Sequence, residues 1–268
     1  MQIFDTHCHI HDPEFASKYE KTVDQIIQEG KAAGVDRFIC VGTSAASSRE
    51  AVAFAESHAM FASLALHPHE VSEKSPEEID ADFAVLQALA AGGNANIVAI
   101  GECGLDYYYH KEPEVQAAQK ALFRRHLDLA TEYDLPLIFH IREAFPDFLA
   151  IIDEYTAMGK RIRGVVHSFS AGEAQLKGAI DRGFYIGLNG IMTFTKLDTQ
   201  LAAAKAIPLD KLLLETDAPF LTPAPFRGKM CELNHIVETA RFLSQLRGES
   251  LEELAAATTR NAEALFRL

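Results

Sequence analysis

Eight short β-prone runs, each trailed by a longer stretch of helical periodicity, constrain this chain of 268 residues more than any other feature. The runs are Ile3–Asp5, Arg37–Val41, Phe61–Leu66, Ile97–Ile100, Leu137–Phe139, Gly164–Val166, Phe184–Gly187 and Leu212–Leu214. Helical patterns fill the intervals over Thr22–Ala33, Ser47–His58, Ile79–Ala91, Val115–Tyr133, Phe145–Met158, Glu173–Arg182 and Asp198–Ala206. Two more, Glu232–Leu246 and Leu251–Leu265, end the chain. Alternation of this kind builds a parallel sheet, because a parallel return requires a crossover long enough for a helix. Repeated eight times, it predicts one (β/α)8 TIM-type barrel occupying residues 1–268 as a single domain; an open doubly wound sheet is the alternative.

The unusual polar residues fall at the ends of these runs. His7 and His9 close the first, His67 the third, Glu102 the fourth, His140 the fifth, His167 the sixth and Asp217 the eighth. In a barrel these C-terminal ends converge on one face, where active sites are built. Chance placement of eleven histidines would scatter them through the helices as well.

Composition narrows the function classes. Apolar residues make up 48% of the chain, enough for a large core, yet no apolar run approaches the roughly 18 residues that a membrane span requires. The first hydrophobic residues lead straight into Asp5, His7 and His9, leaving no room for the apolar stretch of a secretory signal. Cys8, Cys40, Cys103 and Cys231 are scattered without a C-x-x-C pair, as expected of reduced thiols in the cytoplasm. A net charge of −13 excludes a coat protein with a broad basic face, but not an enzyme that grips a few phosphates. No obligate protein partner is evident.

In Asp5-Thr6-His7-Cys8-His9, strand alternation turns His7 and His9 the same way and Cys8 the other, so both imidazoles can reach one metal ion. A pair of histidines hydrogen-bonded in a polar strand end is the plainer reading. Glu102 sits among glycines that let the chain turn tightly past its strand, and its carboxylate can bridge two ions or sit in a salt bridge. His140, in His140-Ile141-Arg142, and His167, in His167-Ser168-Phe169-Ser170, follow apolar strands and, with Glu102, form a plausible second ion site. Asp217 completes a set of nitrogen and oxygen ligands without thiolate. Such a set suits zinc, magnesium, manganese, nickel or iron without choosing among them. Two ions so held can activate a water and stabilise the attacking and leaving oxygens. Asp217 could both ligate an ion and orient or deprotonate the water.

The ordered motifs Asp5-Thr6-His7-Cys8-His9, Leu66-His67-Pro68-His69, Gly101-Glu102-Cys103-Gly104-Leu105-Asp106-Tyr107, His140-Ile141-Arg142, His167-Ser168-Phe169-Ser170, Leu214-Glu215-Thr216-Asp217-Ala218-Pro219 and Pro225-Phe226-Arg227-Gly228-Lys229 resemble those of TatD metal-dependent deoxyribonucleases. They span most of the chain. The resemblance implies a barrel hydrolase of the amidohydrolase-like superfamily, with one ion on His7, His9, Glu102 and Asp217 and a second on Glu102, His140 and His167. A third ion at turnover is possible on this view. It also implies that His67 lies beside the metals and helps hold or protonate the phosphate, so that Asp217, Glu102 and His67 carry the chemistry. A histidine fixed by the turn at Pro68 is the structural reading of His67. Related barrels usually bridge their ions with a modified lysine after strand four; Glu102 stands there instead, favouring the TatD type.

Arg142 lies two residues beyond His140, facing the same way, and can fork a phosphate or pair with a carboxylate. Arg227 and Lys229 occupy a loop stiffened by Pro219, Pro223 and Pro225, suited to an anionic substrate or to simple solvation. Tyr107, Tyr108 and Tyr109 can stack on a base or pack their loop. The chain departs from the resemblance where relatives usually carry Asn-x-Pro and this sequence has Cys231-Glu232-Leu233, and where glycines are replaced at Ala65 or displaced to Gly172. The expected activity is a deoxyribonuclease, probing single-stranded DNA or chain ends as an exonuclease. The other readings are a hydrolase of phosphomonoesters or of D-aminoacyl-tRNA esters, and a non-catalytic metal-binding protein.

Overall fold

The computed structural model describes all residues, Met1–Leu268. Its strands are β1 (Ile3–Cys8), β2 (Val35–Val41), β3 (Phe61–Leu64), β4 (Ile97–Asp106), β5 (Leu137–Arg142), β6 (Gly164–Val166), β7 (Tyr185–Leu188) and β8 (Leu212–Leu214). They form one eight-stranded sheet in the order β1 to β8, with helices interleaved. This is the topology of the (β/α)8 barrel expected from the sequence.

The chain divides into two compact units, Met1–Cys40 with His167–Leu268, and Val41–Val166. In the first, β1 pairs parallel with β2 and β7 with β8, while Cys8 bridges to Ala218 just beyond β8. Every residue of β1 is buried, as in a strand covered on both faces. Phe4, Phe38, Phe184 and Leu212–Leu214 supply its core. The C-terminal helices Ile236–Arg247 and Leu251–Phe266 pack on this unit. In the second unit β3, β4, β5 and β6 pair parallel in sequence order. Phe139 on β5 lies 6.0 Å from Phe123 and 5.0 Å from Phe148 between ring centroids, locking the helices Pro113–Glu132 and Phe145–Ala157 against the sheet.

Local chemistry explains the boundaries that differ from expectation. The expected third strand reached Leu66, but β3 stops at Leu64, because side chains take over the next backbone groups. Ser48 Oγ accepts from the Ala65 amide and His126 Nε2 from that of Leu66. Conversely, β4 and β5 run on to Asp106 and Arg142, so Glu102 and His140 lie inside their strands rather than at the ends. Gly101 and Gly104 therefore do not turn the chain away after Glu102. A Cβ at Gly101 would stand 2.5 Å from that of Ile138, and one at Gly104 2.0 Å from the His140 carbonyl oxygen, so bare glycine is what permits β4 and β5 to lie together. The helix expected from Glu232 begins at Ile236, after a 3-10 turn over Leu233–His235. Short helices at Pro13–Ala16 and Glu70–Glu73 had no periodic signal.

Candidate metal centre

In the first unit, His7 near the end of β1 and His9 just beyond it bring their rings together, and Asp217 reaches them from the segment after β8. Their backbone is tied together: the Asp217 amide donates to the His7 carbonyl at 2.8 Å and the His9 amide to the Ala218 carbonyl at 2.7 Å. Asp5, fully buried, accepts from the Thr216 amide at 2.9 Å and hydroxyl at 2.6 Å. Burial pushes the Asp5 carboxyl up to about 7 despite those hydrogen bonds. Asp217 adopts φ 62, a left-handed conformation unusual for a side-chain-bearing residue, and such outliers concentrate at functional sites.

The resulting side-chain geometry suits a cation. His7 Nε2 and His9 Nε2 are 3.1 Å apart, and they stand 3.5 and 3.4 Å from Asp217 Oδ1. Around an ion bonded at about 2.05 Å, edges of that length subtend roughly 100–115°, bracketing the tetrahedral angle. Burial opposes the charge on Asp217, but the His9 hydrogen bond and the neighbouring His167 and His7 hold its carboxyl below the usual range. His167 stacks on His7 at 3.5 Å between centroids, with its Nε2 3.8 Å from Asp217 Oδ1. Its Nδ1 lies 2.9 Å from Glu215 Oε1, so a buried carboxylate stands directly beside this ring. Glu215 is itself held by the Ser168 amide at 2.6 Å. His7, His167 and Glu215 thus form a second candidate ligand set in this unit.

The second unit gathers His67, Glu102 and His140. Glu102 Oε1 is 2.6 Å from His140 Nδ1 and 3.8 Å from His67 Nε2. The other nitrogen of His140, Nε2, faces Asp106 Oδ2 at 3.2 Å, and His69 Nε2 reaches the same oxygen at 3.0 Å. Burial would lower the His140 pKa, but the hydrogen bonds with Asp106 and Glu102 carry it up to about 9. A cation on Nδ1 must displace that proton. His67 is driven the other way, well below its ordinary value, first by burial and then by His140, although Glu102 opposes the shift. A neutral His67 offers a lone pair at neutral pH, which suits a ligand or a hydrogen-bonding group better than an acid.

Each other residue singled out in the sequence also has a definite place. Arg142, at the exposed end of β5, lies with its Cζ 3.8 Å from the ring centroid of Tyr108. Arg227 donates to the Thr222 carbonyl at 2.8 Å and lies over Phe194, which ties down its own loop. Lys229 is exposed, with Nζ 6.0 Å from the Phe226 ring centroid. Tyr107 donates to Asp147 at 2.8 Å and is a packing residue, whereas Tyr108 and Tyr109 are exposed. The divergent Cys231 segment is load-sharing structure: the Cys231 carbonyl accepts from Tyr19 at 2.6 Å, and Leu233 packs on Gly30.

Sequence reasoning passed over Asp106, His69 and Glu215. The period-two rule could have found one of them, because Asp106 is an even number of residues along β4 from Glu102, whereas Glu215 and Asp217 both lie beyond β8. His69 shows no such signal, since its ring is brought to Asp106 by a short helical turn beginning at Glu70.

No helix is long and apolar enough to cross a membrane. The model of the TatD-related DNase family matches residues 4–267. Over 267 residues the chain is 34% identical to the uncharacterized metal-dependent hydrolase YabD of Bacillus subtilis, covering 99% of each protein. It is 36% identical over 260 residues to the 3'-5' ssDNA/RNA exonuclease TatD of Cronobacter sakazakii, covering 94% of each. Among solved structures, the TatD homologue YJJV of Escherichia coli superposes with a TM-score of 0.88 at 30% identity, covering 99% of this chain and 98% of that one. The chain belongs to the TatD-related DNase family.

Proposed function

We propose that this protein is a divalent-metal-dependent exonuclease acting on single-stranded DNA, with its ions held by His7, His9 and Asp217 in one unit and by Glu102 and His140 in the other, and with His67 beside the latter pair. The whole chain, 1–268, would act as one catalytic domain. The observation that carries this reading is the 3.1–3.5 Å spacing of His7, His9 and Asp217, which matches the edges of a metal's coordination shell. His167 joins the ligands of the first unit, with Glu215 beside it. Relatives named 3'-5' ssDNA/RNA exonuclease support attack from a 3' end and extend the reading to RNA. Four unpaired, buried thiols fit a protein working in a reducing cytoplasm.

Bound divalent cations would polarise the phosphodiester and make a water more acidic. The chain's own residues do the rest. Asp217, held ionised, orients the water and accepts its proton at a carboxylate oxygen. Neutral His67 donates a hydrogen bond to a phosphate oxygen. Arg142, Arg227 and Lys229 grip flanking phosphates. With only these three basic groups assigned to phosphates, on a chain of net charge −13, binding should depend weakly on salt, since each neutralised phosphate adds only about −0.7 to the log–log slope on a single strand.

The test is turnover by purified protein, loaded in turn with zinc, manganese and magnesium, on labelled linear single-stranded DNA, the same strand circularised, a phosphomonoester and a D-aminoacyl-tRNA. Stepwise shortening of the linear strand and an intact circle are expected. Efficient cutting of the circle would overturn the exonuclease reading, and faster turnover of the monoester or the aminoacyl ester would overturn the nuclease reading.

A further inference from the structure

Three adjacent tyrosines follow β4, and only one of them is used to hold the fold. Tyr107 is tied to Asp147, whereas Tyr108 and Tyr109 keep 45% and 60% of their surface exposed. The loop is nevertheless fixed. Asp106 Oδ1 accepts from the amides of Tyr108 and Tyr109 at 2.9 and 3.4 Å, and the Tyr107 amide donates to the Arg142 carbonyl at 2.9 Å. These rings are therefore presented on an anchored backbone, and their exposure is not the looseness of a free loop.

Arg142 lies against both, its Cζ 3.8 Å from the Tyr108 centroid and 4.9 Å from that of Tyr109. A guanidinium held over a ring through its central carbon still has N–H groups at its rim with which to bind a phosphate. The two tyrosine rings are nearly perpendicular, at 89° and 4.8 Å between centroids, and although Arg142 lies over Tyr109 too, most of the Tyr109 surface stays open to solvent. Tyr109 also sits 5.6 Å from His69, which shares Asp106 with His140, so two side chains separate the platform from a candidate metal ligand.

We infer that Arg142, Tyr108 and Tyr109 form a nucleotide subsite, in which Arg142 forks a phosphate while the exposed ring of Tyr109 stacks under the adjoining base. The inference rests on the nuclease reading and adds to it a reason for choosing single strands: only an unpaired base can lie flat on the ring. Esters lacking a base would gain nothing from this surface. Stacking of one base on an aromatic ring typically changes affinity by about tenfold or more.

The test uses the metal-loaded enzyme on end-labelled oligothymidylates that carry a single abasic residue at each of the first positions from the attacked end. One position should raise KM roughly tenfold over the intact strand in the wild type. In Tyr109→Ala, intact and abasic strands should become equivalent, and Tyr109→Phe, which keeps the ring, should restore the difference. Cleavage of all strands with one KM in the wild type, or a difference that survives in Tyr109→Ala, would overturn the subsite and leave the nuclease reading standing. Failure of the wild type to cut any oligonucleotide with any of the metals would overturn both.

Discussion

Asp106→Asn separates two effects of one carboxylate on the second-unit cluster, and their magnitudes predict an unusual pH profile. Asp106 is 1% exposed, and its Oδ2 faces His140 Nε2 at 3.2 Å while His140 Nδ1 faces Glu102 at 2.6 Å. With a cation on Nδ1, Asp106 is the group that orients the ring from behind, and loss of such a partner costs about 10–100-fold in metal affinity. The same carboxylate also helps raise the His140 pKa to about 9, so that protons compete with the metal. At pH 7 a group of that pKa is neutral in only about 1% of molecules, a handicap of about 100-fold that the variant partly escapes. The two effects are of similar size and opposite sign at pH 7, and only the first remains above pH 9. The variant should therefore bind manganese within a few-fold of wild type at pH 7 but roughly 10–100-fold more weakly at pH 9. Isothermal titration at both values, repeated in buffers of different ionisation enthalpy, measures affinity and protons released; the wild type should release more protons at pH 7. A penalty that is equal at both pH values, or larger at pH 7, would refute the reasoning.

Asp217→Asn removes a charge that lies within 3.4–3.8 Å of three imidazole nitrogens, and should slow the single-turnover chemical step by about 100-fold or more while His7 and His9 retain some metal; near-normal rates would remove Asp217 from proton transfer. Gly104→Ala puts a Cβ 2.0 Å from the His140 carbonyl at φ +149, and should destabilise the protein by on the order of 3 kcal/mol, lowering Tm by roughly 6–12 °C. A melting curve unchanged within error would show that β4 and β5 are not so tightly apposed. His126 is buried between the Leu122 carbonyl and the Leu66 amide, and burial depresses its pKa to about 3. Because the unfolded chain takes up that proton near pH 6.5, the associated stability is present above that value and is lost as pH falls towards 3. Chemical denaturation should show this loss in wild type and a shallower one in His126→Gln; parallel slopes would count against it.

Much of the fold was legible because each strand is short, apolar and separated from the next by a helix-length interval, and local periodicity needs no tertiary knowledge. The candidate ligands stood out in the sequence for a related reason. His7 and His9 are spaced at the strand's period of two, and Glu102, His140, His167 and Asp217 interrupt or follow apolar runs where a buried polar group requires a partner. The boundaries were less legible. β3 ended early because Ser48 and His126, 17 and 60 residues away from their partners, took its backbone bonds. The true extent of β4 depended on Gly101 and Gly104 accommodating β5, a close approach that no window of the sequence contains.

The sequence by itself determined the alternation of strands and helices, the chemical kinds of the candidate ligands and the thiol-free character of the set. Tertiary structure alone decided which groups stand behind those ligands. Glu215 behind His167 and Asp106 behind His140 are set by sheet register and by a fixed turn, and the opposite pKa shifts of His67 and His140 follow from what surrounds them. It also divided the three tyrosines, tying Tyr107 to Asp147 and leaving Tyr108 and Tyr109 beside Arg142. The physical reason is common to these cases: periodicity reports the face on which a side chain lies, whereas its partner, its charge state and its exposure depend on residues brought near only by folding.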